Sequence, residues 1–227
     1  VDNSKDSYHA QNEARILTAL HKHNVPQWKH LPLVFDTFRA GERIGLIQQA
    51  INGFSLSQVR LYRVHISGVD QRHMIWMLDR LLSCMGYVHS TGIVHGNLNP
   101  DHVLIQPATH NALVVGWGSA VQNPASSGKR AETVPDVFSA PECLTGNQIG
   151  PWSDVYSLGK IMIWLLGGDP VENSIPTSVE EPIRDFLTAM VEDSPTSRPD
   201  DCWELYEQEN AIKDDLWQRK FLHFEMG

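Results

Sequence analysis

The run Ile161-Met162-Ile163-Trp164-Leu165-Leu166 leaves a helix no polar face. With Pro151 and Ser153 opening it, the stretch 152–166 reads as a helix that is apolar nearly all round, and such a helix is stable only when other elements cover every side. The chain must therefore build a helical core thick enough to enclose it. A second stripe of Met74, Met77, Leu78, Leu81, Leu82, Met85 and Val88 keeps helical spacing and ends at Thr91-Gly92, so that helix turns one face to the same core. Ile183, Phe186, Leu187, Met190 and Val191 repeat the stripe, and Ser194 to Pro199 break it. A last helix carries Trp203, Leu205 and Tyr206 and runs on toward Ile212, Leu216 and Trp217.

Ahead of these helices the pattern is mixed. Residues 8–23 read as a partly amphipathic helix, with Ala14, Ile16, Leu17 and Leu20 apolar and Glu13 and Arg15 among them. The β-prone runs 31–38 and 43–49 flank a turn containing Gly41 and read as a hairpin, and 103–105 with 113–115 read as a second one. The stretch 118–139, rich in Ser, Gly, Pro and Ala, has no periodicity. It is expected to be an exposed loop, and a loop of that length is usually functional or mobile.

Composition narrows the function classes. A chain of 227 residues with 18 Lys+Arg against 27 Asp+Glu has a formal charge of −9 and a pI near 5.6, which provides no broad positive field for nucleic acid or anionic lipid. Cys84, Cys143 and Cys202 have no short C-x-x-C spacing and fit neither a disulfide framework nor a structural zinc site. No apolar run approaches the ~20 residues of a membrane helix, and the N-terminal decapeptide lacks the apolar stretch of a secretory signal. A reducing, cytoplasmic location is the expectation. The chain begins at Val1 rather than Met, as an excerpt of something longer would.

Four strings are more specific than this pattern. His95-Gly96-Asn97-Leu98-Asn99-Pro100-Asp101-His102-Val103-Leu104-Ile105 resembles the catalytic loop of eukaryotic-type protein kinases, whose pattern is His-Arg-Asp-Leu-Lys-Pro-x-Asn followed by aliphatic residues. Gly116-Trp117-Gly118 lies where Asp-Phe-Gly would fall, Ala140-Pro141-Glu142 matches Ala-Pro-Glu, and Ser153 to Gly159 is similar to the start of that family's central buried helix. Ser197-Arg198-Pro199 resembles its late Arg-Pro element, and Glu13 to Leu17 its glutamate-bearing helix. The order and spacing of the set identify the chain as a member of the Ser/Thr protein kinase superfamily. The implied fold is α+β and two-lobed: a reduced or truncated small lobe and hinge over 1–51, a larger helical lobe over 52–212 with an activation-type segment at 118–142, and a C-terminal helical extension over 213–227.

Within that resemblance, the positions that carry chemistry are substituted. Phosphoryl transfer on this fold needs an aspartate to orient the attacking hydroxyl, and an asparagine and a second aspartate to hold magnesium. Here the resemblance puts Asn97, Asn99, His102 and Gly116 at the catalytic aspartate, the loop lysine, the metal-binding asparagine and the metal-binding aspartate. None of the four is a carboxylate, and magnesium prefers hard oxygen ligands. No Gly-x-Gly-x-x-Gly precedes Glu13, and no Val-Ala-Ile-Lys string exists. By contrast, residues matching the family's structural positions remain: Glu142 and Arg198 for a buried ion pair, Asp154 to bond the backbone at His95, and His95 as a packed, non-basic histidine. Trp117 in place of Phe enlarges the apolar plug between lobes.

The remaining candidates are weaker. Residues i and i+2 do not share a helix face, so His21 and His23 are not read as metal ligands. Cys143 is read as a packing residue. Asp101 is read as a turn residue, while Gln48, Gln49, Ala50 and Ile51 resemble the hinge that contacts adenine through main chain. The expectation is therefore a catalytically inactive, kinase-like module that binds or regulates another protein, or another domain of a longer chain. It has no resident metal or cofactor, and at most a weak, metal-independent ATP contact at the hinge. The rival is a divergent phosphotransferase or nucleotidyl transferase that recruits Asp101 or Asp154.

Overall fold

A computed structural model describes residues 3–62, 64–130, 136–217, 224 and 226. The first element is a helix. Helix α1 (Asn3–Leu20) buries Ile16, Leu17 and Leu20 and packs on a hairpin of β1 (Val34–Ala40) and β2 (Arg43–Gln48), antiparallel with Thr37 opposite Leu46 and a bulge between Val34 and Asp36. The helix starts about a turn earlier than its apolar pattern indicates, because its first residues are polar and give an apolar period nothing to report. It ends at Leu20 rather than His23. Pro26 opens a 3-10 turn (Pro26–His30) and holds Val25 extended, so no helix can run through.

One short strand and a short helix lead to the larger unit. β3 (Phe54–Ser55) runs into α2 (Leu56–Leu61), where the Ser55 hydroxyl accepts the Gln58 N–H and the Gln58 side chain accepts the Ser55 N–H, a reciprocal cap. Helix α3 (Gln71–Ser90), capped by Asp70, buries all seven residues of its stripe. β4 (Ile93–Val94), β5 (Val103–Gln106) and β6 (Asn111–Val114) follow, with β5 between β3 and β6 in a small antiparallel sheet. Helix α6 (Pro151–Leu165) lies at the centre of the core. Of its six-residue apolar run and continuation, only Trp164 is half-exposed, and α3 and α7 (Glu181–Met190) pack against it.

The stretch 118–139 is not the featureless loop expected. A 3-10 turn (Trp117–Ser119), strand β7 (Val121–Gln122) paired antiparallel with β4, and a one-turn helix α4 (Pro124–Ser127) occupy its first half, and Gly118, Ala120 and Val121 are buried. Elements of two to four residues are too short to leave a period, and their order comes from tertiary contact. Residues 131–135 of that stretch lie outside the described residues. Helix α5 (Pro141–Thr145) closes the segment.

Helix α8 (Cys202–Trp217) runs unbroken across the boundary set between 212 and 213, and the rest of the expected extension lies outside the described residues apart from Phe224 and Met226. Phe224 is buried, stacked on His65 with ring centres 5.2 Å apart. On its inner face α8 buries Glu209 completely, with Lys213 Nζ 3.6 Å away and Asp79 nearby. Burial pushes the Glu209 carboxyl up to about 8, and the Asp79 charge adds to the push while Lys213 opposes it. A carboxyl raised in the fold favours the folded state when protonated, so its contribution is fully present below the unfolded value and disappears as pH rises through about 8. Glu209→Gln should therefore match the parent near pH 4.5 and exceed it in Tm at pH 9 by about 3 °C or more, read by thermal denaturation across that range.

Candidate functional site

The loop between β4 and β5 is held from below by one carboxylate. Asp154, in the first turn of α6 and almost fully buried, accepts the N–H of His95 at 2.8 Å on Oδ2 and the N–H of Gly96 at 2.8 Å on Oδ1. His89, at the end of α3, adds its Nε2 at 2.9 Å. Burial alone would disfavour its imidazolium, but Cys202, with Sγ 3.5 Å from Nδ1, and Asp154 together raise His89 to about 10. His89 and Cys202 leave no motif in the sequence. The only signal for His89 is a histidine six positions ahead of His95 at the end of an apolar stripe.

His95 itself is a fixed, neutral ring. Its Nδ1 accepts the Asn97 N–H at 3.3 Å, which leaves Nε2 to donate to the Val115 carbonyl at 3.0 Å. Burial lowers it to about 4. The Trp117 indole sits edge-on to this ring, centroids 4.7 Å apart, is fully buried, and donates from Nε1 to the Val114 carbonyl at 2.9 Å.

The four substituted positions form one contact set. Asn99 Oδ1 accepts the N–H groups of Asp101 and His102 at 2.9 and 3.1 Å and so opens the 3-10 turn Pro100–His102, a backbone-capping role rather than a charged one. His102 Nδ1 lies 2.7 Å from the Asn97 carbonyl oxygen and donates to it. The opposite edge of the ring fills the space beside Gly116. A Cβ on Gly116 would stand 2.6 Å from both Nε2 and Cδ2, and Gly116 has φ +79°, where a side chain is strained in any case. From the other side Glu13 of α1 reaches the corner, bonded to the Trp117 backbone N–H; burial raises its pKa while that bond and the His102 and His9 charges lower it. Asn12 beside it, unmarked by any motif, donates to the Gly118 and Ala120 carbonyls at 2.8 and 2.9 Å and ties α1 to the segment after Gly116.

The rival donors lie elsewhere. Asp101 is exposed and accepts the Ser55 hydroxyl at 3.3 Å, and both Asp154 oxygens are spent on the loop backbone. At the hinge the Gln49 N–H is already bonded to the Leu33 carbonyl at 2.8 Å and Gln48 closes the β1–β2 register, so Ala50 and Ile51 are the part of the expected strip outside the hairpin ladder. His21 stacks on Trp28, centroids 5.2 Å apart, with His23 exposed. Cys143 is half-buried against the core.

Away from the loop, Glu142 and Arg198 clamp α5 to α6. Arg198 Nη1 donates to Glu142 Oε1 at 2.8 Å and Nη2 to Oε2 at 3.4 Å, and the Ser153 hydroxyl adds a bond to Oε1 at 2.7 Å. The guanidinium also donates to the carbonyls of Trp152, Glu192 and Asp193 and lies 4.6 Å from the Tyr156 ring centre. Both groups are buried and every polar atom has a partner, the condition under which a buried pair does not cost the fold.

Comparison with known proteins points to the same family as the motifs. The family model described as the protein kinase domain matches residues 1–211. The chain belongs to the protein kinase family. Serine/threonine-protein kinase F of Synechocystis is 25% identical over 210 residues, 83% of this chain and 42% of its own length. Sperm motility kinase 3A of Mus musculus is 28% identical over 177 residues, covering 70% of this chain and 34% of that protein. Calcium/calmodulin-dependent protein kinase type 1 of Caenorhabditis elegans is 25% identical over 161 residues, 70% of this chain and 44% of its own. The kinase domain thus spans less than half the length of these curated relatives. Among its described residues no helix is long and apolar enough to cross a membrane. Arg198→Ala and Glu142→Ala should each lower the stability of this kinase domain by about 3–5 kcal/mol, and the double variant by clearly less than the sum, as measured by chemical denaturation.

Proposed function

We propose that this protein kinase domain does not transfer phosphate and works as a binding or regulatory module for another protein or for another domain of its own longer chain. The contact between His102 and Gly116 carries this reading. A magnesium ion under a triphosphate needs carboxylate oxygens in near-octahedral array. Here an imidazole edge fills the space in which the second metal-binding side chain would begin, with 2.6 Å to a Cβ on Gly116. Asn97 supplies an amide where a base would stand, and Glu13, a carboxylate at this corner, is committed to the Trp117 N–H and shifted toward its protonated form. Among the described residues no three His, Cys, Asp or Glu side chains converge as a metal site. The residues present do not fit magnesium, and no step is derived through it.

What remains intact on this reading is shape. Asp154, Glu142 and Arg198 keep their full sets of partners, so the loop and the surfaces around it are held in one conformation whether or not anything reacts there. The relatives' names describe kinases; their activity belongs to those proteins, whose substituted positions need not match this chain's.

Thermal shift with ATP, with and without Mg²⁺ or Mn²⁺, followed by transfer of γ-phosphate label to protein, tests the proposal. The expected result is a Tm that does not change on adding the divalent ion, and no transferred label. A metal-dependent rise in Tm with turnover abolished by Asp101→Ala would establish the divergent phosphotransferase instead.

A further inference from the structure

Helix α8 carries two aromatic rings that stand partly in water. Trp203 is 38% exposed, and its indole lies edge-on to the Tyr206 ring with centroids 6.1 Å apart. Both rings are held in place. Asp201 Oδ1 accepts the Trp203 N–H at 2.7 Å ahead of the helix, and the indole sits so close to α3 that a Cβ on Gly86 would stand 2.7 Å from its Cε2. Tyr206 packs half-buried on the core. Rings fixed in this way lose little freedom when something binds them, which suits an exposed aromatic to the role of an anchor.

Elsewhere the chain covers such rings with its own cations. Arg72 lies over Trp217 at 5.7 Å, Arg60 over Trp164 at 5.9 Å and Arg198 over Tyr156 at 4.6 Å, the attraction of a cation for an aromatic face. Among the described residues no cation lies over Trp203 or Tyr206. The surrounding charge is of one sign. Residues 169–215 hold 14 of the 27 Asp and Glu but 3 of the 18 Lys and Arg. Of those three, Arg198 is buried on Glu142, Lys213 is paired with Asp79 and Glu209, and Arg184 is half-buried. On α8 itself Glu204, Glu207 and Asp215 are exposed, and Glu207 stands one turn on from Trp203. Such a face repels phosphate and draws positive charge. The cation that suits it is a guanidinium, which stacks flat on an indole and forks to a carboxylate, whereas an ammonium meets the carboxylate only as a point charge.

We propose that this face of α8 docks an arginine-rich segment of a partner protein, with one guanidinium stacked on Trp203 beside Tyr206 and bonded to Glu207, and neighbouring arginines met by Glu204 and Asp215. This deepens the reading of the domain as a protein-binding module and rests on that part of it, while being independent of the chemistry at Gly116.

The test is fluorescence anisotropy of the full chain with three labelled octapeptides, glycine alternating with arginine, with lysine or with serine. The arginine peptide should bind about tenfold tighter than the serine peptide or more, and about threefold tighter than the lysine peptide, since only the guanidinium stacks. Glu204→Gln with Glu207→Gln should weaken the arginine peptide about tenfold, while Glu172→Gln with Glu180→Gln, which remove the same charge from exposed positions off α8, should weaken it by less than about twofold. Trp203→Leu should level the arginine and lysine peptides without abolishing either. No preference for the arginine peptide, equal weakening by the two glutamine pairs, or an unchanged arginine-to-lysine ratio in a folded Trp203→Leu chain would each overturn the proposal; if Trp203→Leu does not fold, the two glutamine pairs decide. A parent chain that sediments as a dimer, and as a monomer once Glu204 and Glu207 are glutamine, would overturn it in favour of a second copy. Label transfer from ATP by a chain that still selects arginine would remove the catalytic silence and keep this surface. A silent chain indifferent to arginine would remove this surface alone.

Discussion

A single buried carboxylate organises the molecule. Asp154 enters at the first turn of the helix that sequence makes apolar on every side, and it gives its two oxygens to the two N–H groups at the start of the His95 loop. A buried carboxylate is costly unless its lone pairs are spent, and a tight loop is costly unless its N–H groups are. Each cost is met by the other. The His89 imidazole, whose pKa Asp154 and Cys202 raise against the effect of its burial, bonds Asp154 and ties α3 and α8 to the same point. Loop, central helix and two flanking helices therefore share one electrostatic anchor, and the positions from Asn97 to Gly116 inherit their geometry from it.

Against that fixed frame, the departures from kinase chemistry fit one another sterically. An imidazole at His102 needs room that a side chain at position 116 would take, and Gly116 leaves it. Asn99 caps the turn that aims His102, and the Asn97 carbonyl accepts a bond from its Nδ1. Glu13 and Asn12 close the corner from α1 by bonding backbone groups of the segment after Gly116. The result is a packed polar cluster whose hydrogen-bonding capacity is directed inward, to the protein's own main chain.

Much of this was legible in the sequence, for identifiable reasons. Helices α3, α6 and α7 have long apolar periods, and period is what burial writes into a chain. The ion pair partners Glu142 and Arg198, and the acceptor Asp154, sit inside strings specific enough to name. What escaped is what has no period or string. The first turn of α1 is polar throughout, and β7 and α4 are two to four residues long. His89 and Asn12 act through hydrogen bonds to partners 65 and 106 to 108 positions away.

We propose that His102 and Gly116 together leave no place for a divalent ion beside bound nucleotide. The most direct measurement is NMR of selectively labelled histidine and glycine during titration with Mn²⁺ and ATP, since a bound paramagnetic ion broadens the signals of nuclei close to it. The account predicts that the His102 ring and Gly116 amide signals stay sharp when the ion and nucleotide are present together. Selective broadening of those two signals, dependent on ATP, would contradict it.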